Sequence, residues 1–100
     1  MKAPRVFKTD AALKKWLQDT YQDDNIDKTL LADGLSEAFL GVKDPSGKKL
    51  CYTAVYSRER AIRVFHERDG MTYMDAVEHF DFNVECAHVG PYTPIWIDTP

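Results

Sequence analysis

The side chains of this 100-residue chain that could carry chemistry fall into a few separate groups. The closest thiol and imidazole pair is Cys86-x-His88, with His79, His66 and Cys51 elsewhere in the sequence. A structural zinc site usually draws its ligands from two close Cys or His pairs. The chain offers one such pair at an unusual spacing, so neither a metal nor another cofactor is expected. Asp75, Glu78, Asp81 and Glu85 stand three or four apart and share one helical face. Paired carboxylates do acid/base work only when their surroundings split their pKa values. On a short helix the same spacing gives a solvated acidic ridge, here centred on Asp75, Glu78 and Asp81. Such a ridge suits a basic patch on a partner, and Glu78 is placed to pair with an arginine of the preceding helix. Ser36, Ser46 and Ser57 each fit a structural role, as strand edge, turn and helix cap. Gly34, Gly41, Gly47, Gly70 and Gly90 are isolated, which excludes a glycine-rich phosphate loop.

The most informative set is aromatic. Phe39, Tyr52 and Tyr56, joined by Trp96 from the last strand, sit near Lys43, Lys48 and Lys49. Single-stranded nucleic-acid binders use aromatics beside lysines on a sheet face for base stacking. The same residues suit a core, or a protein or self-association interface, where Tyr and Trp are enriched at hot spots. All three readings stay open. Arg58, Arg60, Arg63 and Arg68 make another helix basic, but Glu59 and Glu67 interleave with them. Alternating signs describe a salt-bridged exposed face better than a phosphate clamp.

Helical periodicity and cap residues place these groups. Thr9 caps a helix over 10–22, in which Leu13, Trp16, Leu17 and Tyr21 form one apolar stripe. Residues 23–35 read as a loop with one helical turn at 28–32, and Asp33-Gly34 is a turn signal. Residues 36–43 and 48–56 read as a hairpin joined at Asp44-Pro45-Ser46-Gly47. If Lys43 pairs with Lys48, then Ala38, Leu40, Val42, Cys51, Thr53 and Val55 share one face. Glu37, Phe39, Lys43, Leu50, Tyr52, Ala54 and Tyr56 then share the other. Ser57 caps a helix over 58–68 with Ala61, Ile62 and Phe65 inward, and Asp69-Gly70 closes it. Thr72 caps a helix over 73–82, with Tyr73, Val77 and Phe80 inward and Asp75, Glu78 and His79 outward; Asn83 suits its end. Residues 94–98 form a short last strand that Pro94 opens. The order is one of strands and helices that do not alternate. It predicts a single α+β domain with a small antiparallel sheet of three strands and three helices on one face.

Composition bounds the function. Leu, Ile, Val and Phe number 23 of 100 residues, enough for a core. That core is thin, because so small a domain buries only about 60–65% of its unfolded surface. The net charge of −3 is too mild for a basic nucleic-acid clamp or for a strong DNA mimic. Two cysteines 35 positions apart are no disulfide framework. No apolar run reaches the roughly 18 residues of a membrane span, and the basic start lacks the apolar region of a signal peptide. These features place the protein in a cytoplasm and away from membranes.

The segment from Arg68 to Asn83 (RDGMTYMDAVEHFDFN), followed by Ala87-His88-Val89-Gly90 and Thr93-Pro94-Ile95, resembles a pattern found in small uncharacterised proteins of bacteriophages and prophages. Asp33-Gly34 matches their turn before a hairpin, so the likeness covers residues 33–97. Asp75 stands where those proteins more often have Glu, and His79 where they more often have Tyr. Glu78 keeps its Glu. No activity comes with the resemblance. It implies a phage-derived protein acting in the bacterial cytoplasm. The reading that follows is a non-enzymatic accessory factor that binds and modulates a host protein, with a counter-defence, anti-CRISPR-like inhibitor as one form. The expected contact residues are Phe39, Tyr52, Tyr56, Trp96, Asp75, Glu78 and Asp81. The alternative is a single-stranded nucleic-acid module using the aromatic sheet face, and a homodimer is compatible with either.

Overall fold

A computed structural model describes residues 6–21, 26, 29–43, 52–85 and 93–99. Its elements are α1 (Asp10–Tyr21), β1 (Phe39–Lys43), β2 (Thr53–Ser57), α2 (Arg58–Glu67), α3 (Tyr73–Phe80) and β3 (Ile95–Ile97). The result is a small α+β fold with a three-stranded sheet in the order β1-β2-β3. None of its helices is long and apolar enough to cross a membrane.

Helix starts follow local chemistry. The first N–H groups of a helix have no intrahelical acceptor, and a Ser or Thr oxygen supplies one. Thr9 Oγ1 accepts from the Ala12 N–H at 3.1 Å, Ser57 Oγ from Arg60 at 3.1 Å and Thr72 Oγ1 from Asp75 at 3.2 Å. Ser57 also donates to the carbonyl of Thr99, so one buried hydroxyl starts α2 and holds the segment that follows β3. Leu13 and Leu17 of α1 are buried, and Trp16 and Tyr21 pack beside them.

Two turns need glycine. Gly34 and Gly70 have φ of +75° and +72°, where an added Cβ is strained. Gly34 is held from both sides: its N–H donates to Asp10 Oδ2 at 2.8 Å and its carbonyl accepts from an Arg68 Nη at 2.6 Å. That peptide joins the start of α1 to the end of α2. After Gly70 the Met71 N–H returns to the Phe65 carbonyl at 3.2 Å and turns the chain into α3.

Several expectations change here. Residues 29–32 are irregular rather than helical. Ser36–Ala38 is a 3-10 turn rather than the start of a strand, and Ser36 Oγ donates to the Phe7 carbonyl at 2.8 Å. The hairpin pairs Lys43 with Thr53 rather than Lys48, and a bulge lies between Phe39 and Gly41. The extra residue reverses the side-chain parity within β1. Val42 therefore lies opposite Ala54, and Phe39 opposite Tyr56, all on one face. Residues 44–51, with the expected turn, Lys48, Lys49 and Cys51, lie outside the described set.

The sheet is mixed rather than all antiparallel, because β3 runs parallel to β2 with Val55↔Ile95, Tyr56↔Trp96 and Ser57↔Ile97 opposed. A parallel return needs a long crossover, and α2 and α3 supply it by carrying the chain back to the starting end of β2. α3 ends at Phe80 and the chain widens into a π-type turn, Asp81–Glu85, instead of stopping at Asn83.

The two registers align Phe39, Tyr56 and Trp96 across all three strands. Ring centroids are 5.6 Å apart for Phe39 and Tyr56 and 5.0 Å for Tyr56 and Trp96. Trp16 and Phe7 close the β1 end of the row, each 6.2 Å from Phe39, and Phe80 closes the other end at 4.8 Å from Trp96. Offset and edge-to-face aromatic pairs of this kind add about 0.5–1.5 kcal/mol each beyond the area they bury.

Candidate interaction surface

The aromatic row is interior. Phe39 is 2% exposed and Tyr56 0% exposed, so neither presents a ring to a partner or to a nucleic-acid base. The cause is packing: α1 brings Trp16 onto Phe39, while Tyr21 lies 5.2 Å from Tyr52, which is half-buried. The Tyr56 hydroxyl accepts from the Ala32 N–H at 2.9 Å. Burial pushes its pKa well above the ordinary tyrosine range. The Ala32 hydrogen bond works against that shift, and the charge of Asp10 adds to it. Trp96, half-buried at the edge of the row, is the member that reaches a concave surface. On the opposite sheet face Val55 and Ile95 are half-buried and Ile97 is exposed.

The acidic ridge divides in two. Asp81 accepts from an Arg58 Nη at 3.0 Å, and the Arg58 guanidinium lies 5.4 Å from the centre of the Phe80 ring. Arg58 is thus the arginine of the preceding helix that meets an α3-side carboxylate, and it meets Asp81 rather than the expected Glu78. Asp75 and Glu78 are exposed. The basic helix carries the expected mixture of signs, with Arg63 3.7 Å from Glu59 and Arg68 forked onto Asp69 at 2.9 and 3.2 Å. Hydrogen bonding to Arg68 holds the Asp69 carboxyl below its ordinary value.

Two exposed apolar residues lie outside the expected contact set, one on α3 and one in the π turn after it. Met74 is 69% exposed and Phe82 77% exposed, and Glu78 lies midway between them in sequence. Four-residue spacing brings side chains to one side of an α-helix, so Met74 and Glu78 share a side of α3 that Asp75 flanks, and exposed Phe82 follows in the π turn. That spacing was the available signal. The expected inward set of Tyr73, Val77 and Phe80 hides it. Tyr73 is in fact exposed, near His66, and Ala76 fills the buried position.

His79 does not point freely outward. Its ring stands edge-on to Phe65 with centroids 4.6 Å apart, and its Nδ1 lies 3.3 Å from Asn83 Nδ2. It forms part of the wall of a cleft of about 470 Å³ between the 30–35 loop, α2, the π turn and β3.

No family model, no curated protein and no solved structure matches this chain. Among the described residues no three His, Cys, Asp or Glu side chains cluster as metal ligands do. Cys86 and His88 lie outside the described set, as does Cys51.

Proposed function

We propose that this protein is a non-enzymatic accessory factor that binds and modulates a bacterial host protein through the outer face of α3 and the π turn that follows it. The supporting observation is the pair Met74 and Phe82, large apolar side chains more than two-thirds exposed, set among the carboxylates of Asp75 and Glu78. Interface hot spots bury large apolar anchors inside a polar rim. A surface with two such anchors and two flanking carboxylates is complementary to an apolar groove edged with Lys or Arg. Acidic flanks speed and orient encounter with such a groove, and the apolar anchors supply the affinity.

The resemblance of residues 33–97 to small phage proteins sets this reading in the cytoplasm of an infected bacterium, where a counter-defence inhibitor is one form such a factor takes. The nucleic-acid reading loses its main support, because Phe39 and Tyr56 are enclosed.

The test is affinity capture of tagged protein from bacterial lysate, divided into nuclease-treated and untreated halves. The proposal expects one stoichiometric host protein in both halves. Recovery of nucleic acid alone, present only without nuclease, would replace it with the nucleic-acid reading.

A further inference from the structure

The cleft beside α3 has the character of a ligand site in its own right. Its walls are Leu30, Leu31, Leu35, Phe65, Val84 and Trp96, and its polar groups are Asp33, His79 and Asn83. A volume of about 470 Å³ lies within the range of small-molecule pockets. It is too small for a helix, whose diameter with side chains is about 10–12 Å. Three ring systems, Phe65, His79 and Trp96, contribute to the walls, which favours a flat aromatic guest. Asp33 is among the lining residues, and among the described residues no Lys or Arg lines the cleft; the Arg68 guanidinium beside neighbouring Gly34 is already bound to the Gly34 carbonyl and forked onto Asp69. Aromatic faces attract cations, so rings and carboxylate select the same sign of charge.

We propose that this cleft binds a small planar aromatic molecule bearing a protonated amine. The ring lies among Leu35, Phe65 and Trp96, and the ammonium group is directed to Asp33. This site is separate from the outer face of α3 and does not depend on the host-protein reading.

A matched series tests ring and charge separately: tryptamine, neutral indole and anionic indole-3-acetate, titrated into 15N-labelled full-length protein. Compounds of this size bind with dissociation constants on the order of 1 mM. The proposal expects saturable shifts at the side-chain signals of Trp96 and Asn83 and at the amides of Leu35 and Phe65. Tryptamine is expected to bind about two- to fivefold tighter than indole, the worth of one exposed charge pair, and indole-3-acetate weakest. Asp33→Asn, a residue type that turns accept, should bring tryptamine and indole to equal affinity. Leu30→Trp, at the exposed mouth, should weaken all three. If that variant does not fold, the Asp33→Asn comparison still decides. No saturable shift up to about 10 mM, shifts confined to another surface, or indole-3-acetate binding as tightly as tryptamine would each overturn the proposal.

Discussion

Tyr56 and Trp96 lie directly opposite one another on the parallel strands β2 and β3, their rings stacked with centroids 5.0 Å apart and planes 30° from parallel. This pair fastens a three-residue edge strand to the core. It also decides which side chains are available to a partner, because the row that contains it is consumed by folding. Among the described large apolar side chains, Met74 and Phe82 are then the most exposed.

The buried hydroxyl gives the first prediction. Tyr56→Phe keeps the ring stack but leaves the Ala32 N–H without its acceptor. The loss is about 1–3 kcal/mol, or about 4–8 °C in Tm per kcal/mol for a domain of this size. Phe39→Ala, which empties the β1 position of the row, should cost more, about 3–5 kcal/mol. Urea unfolding of the two variants checks the order.

Alkaline pH should unfold the protein through the same residue. The Tyr56 pKa is raised in the folded state above the ordinary value of 10.0, chiefly by burial. The unfolded chain therefore releases this proton first. Stability from this group is fully present below pH 10 and falls as pH rises above it. Ultraviolet titration should show one of the five tyrosines ionising only together with loss of the fold. Tyr56→Phe should remove that coupled step.

The carboxylates of the ridge should separate by role. Asp81→Asn breaks the contact with Arg58, which is part-exposed, and should cost about 0.2–1 kcal/mol. Asp75→Asn and Glu78→Gln should leave stability within about 0.5 kcal/mol, as surface changes usually do. In a partner complex these two should slow association and reduce its salt dependence. Thermal melts and stopped-flow association at two ionic strengths measure both effects.

Gly34 should be intolerant of substitution. Its φ of +75° strains any residue with a Cβ, at about 1–2 kcal/mol for Gly34→Ala. Its peptide also ties Asp10 to Arg68. Gly70→Ala, at a similar φ but with open space around the position, serves as the comparison. Both should lower Tm, and a larger loss at Gly34 would report the tie.

The features legible in the sequence were those decided within a few residues. Thr9, Ser57 and Thr72 act as caps because the atoms they bond lie three positions away, and Gly70 turns the chain because its neighbours cannot. The stripe of Leu13, Trp16, Leu17 and Tyr21 needed only the helical repeat. Features settled by distant packing were not legible. The bulge after Phe39 changes face parity, and its one local signal is Gly41, since a glycine inside a strand often marks a bulge without fixing where the register shifts. The direction of β3 depends on how α2 and α3 together return the chain. Which sheet face is covered depends on where α1 places Trp16, 23 positions before Phe39. The aromatic residues are thus legible as a set with core and interface both open, and burial of Phe39 and Tyr56 favours the core for those two, while Tyr52 and Trp96 stay half-buried.

The proposed partner surface is the outer face of α3 together with Phe82 of the π turn. The most direct measurement is side-by-side capture from nuclease-treated bacterial lysate by the native protein and by Met74→Ser/Phe82→Ser. Circular dichroism would first establish that the variant keeps the native fold. The account predicts one stoichiometric host protein with the native chain, and at least a tenfold loss with the variant, the effect of removing about 1.4 kcal/mol of binding free energy. Equal retention of that protein by both chains would contradict it.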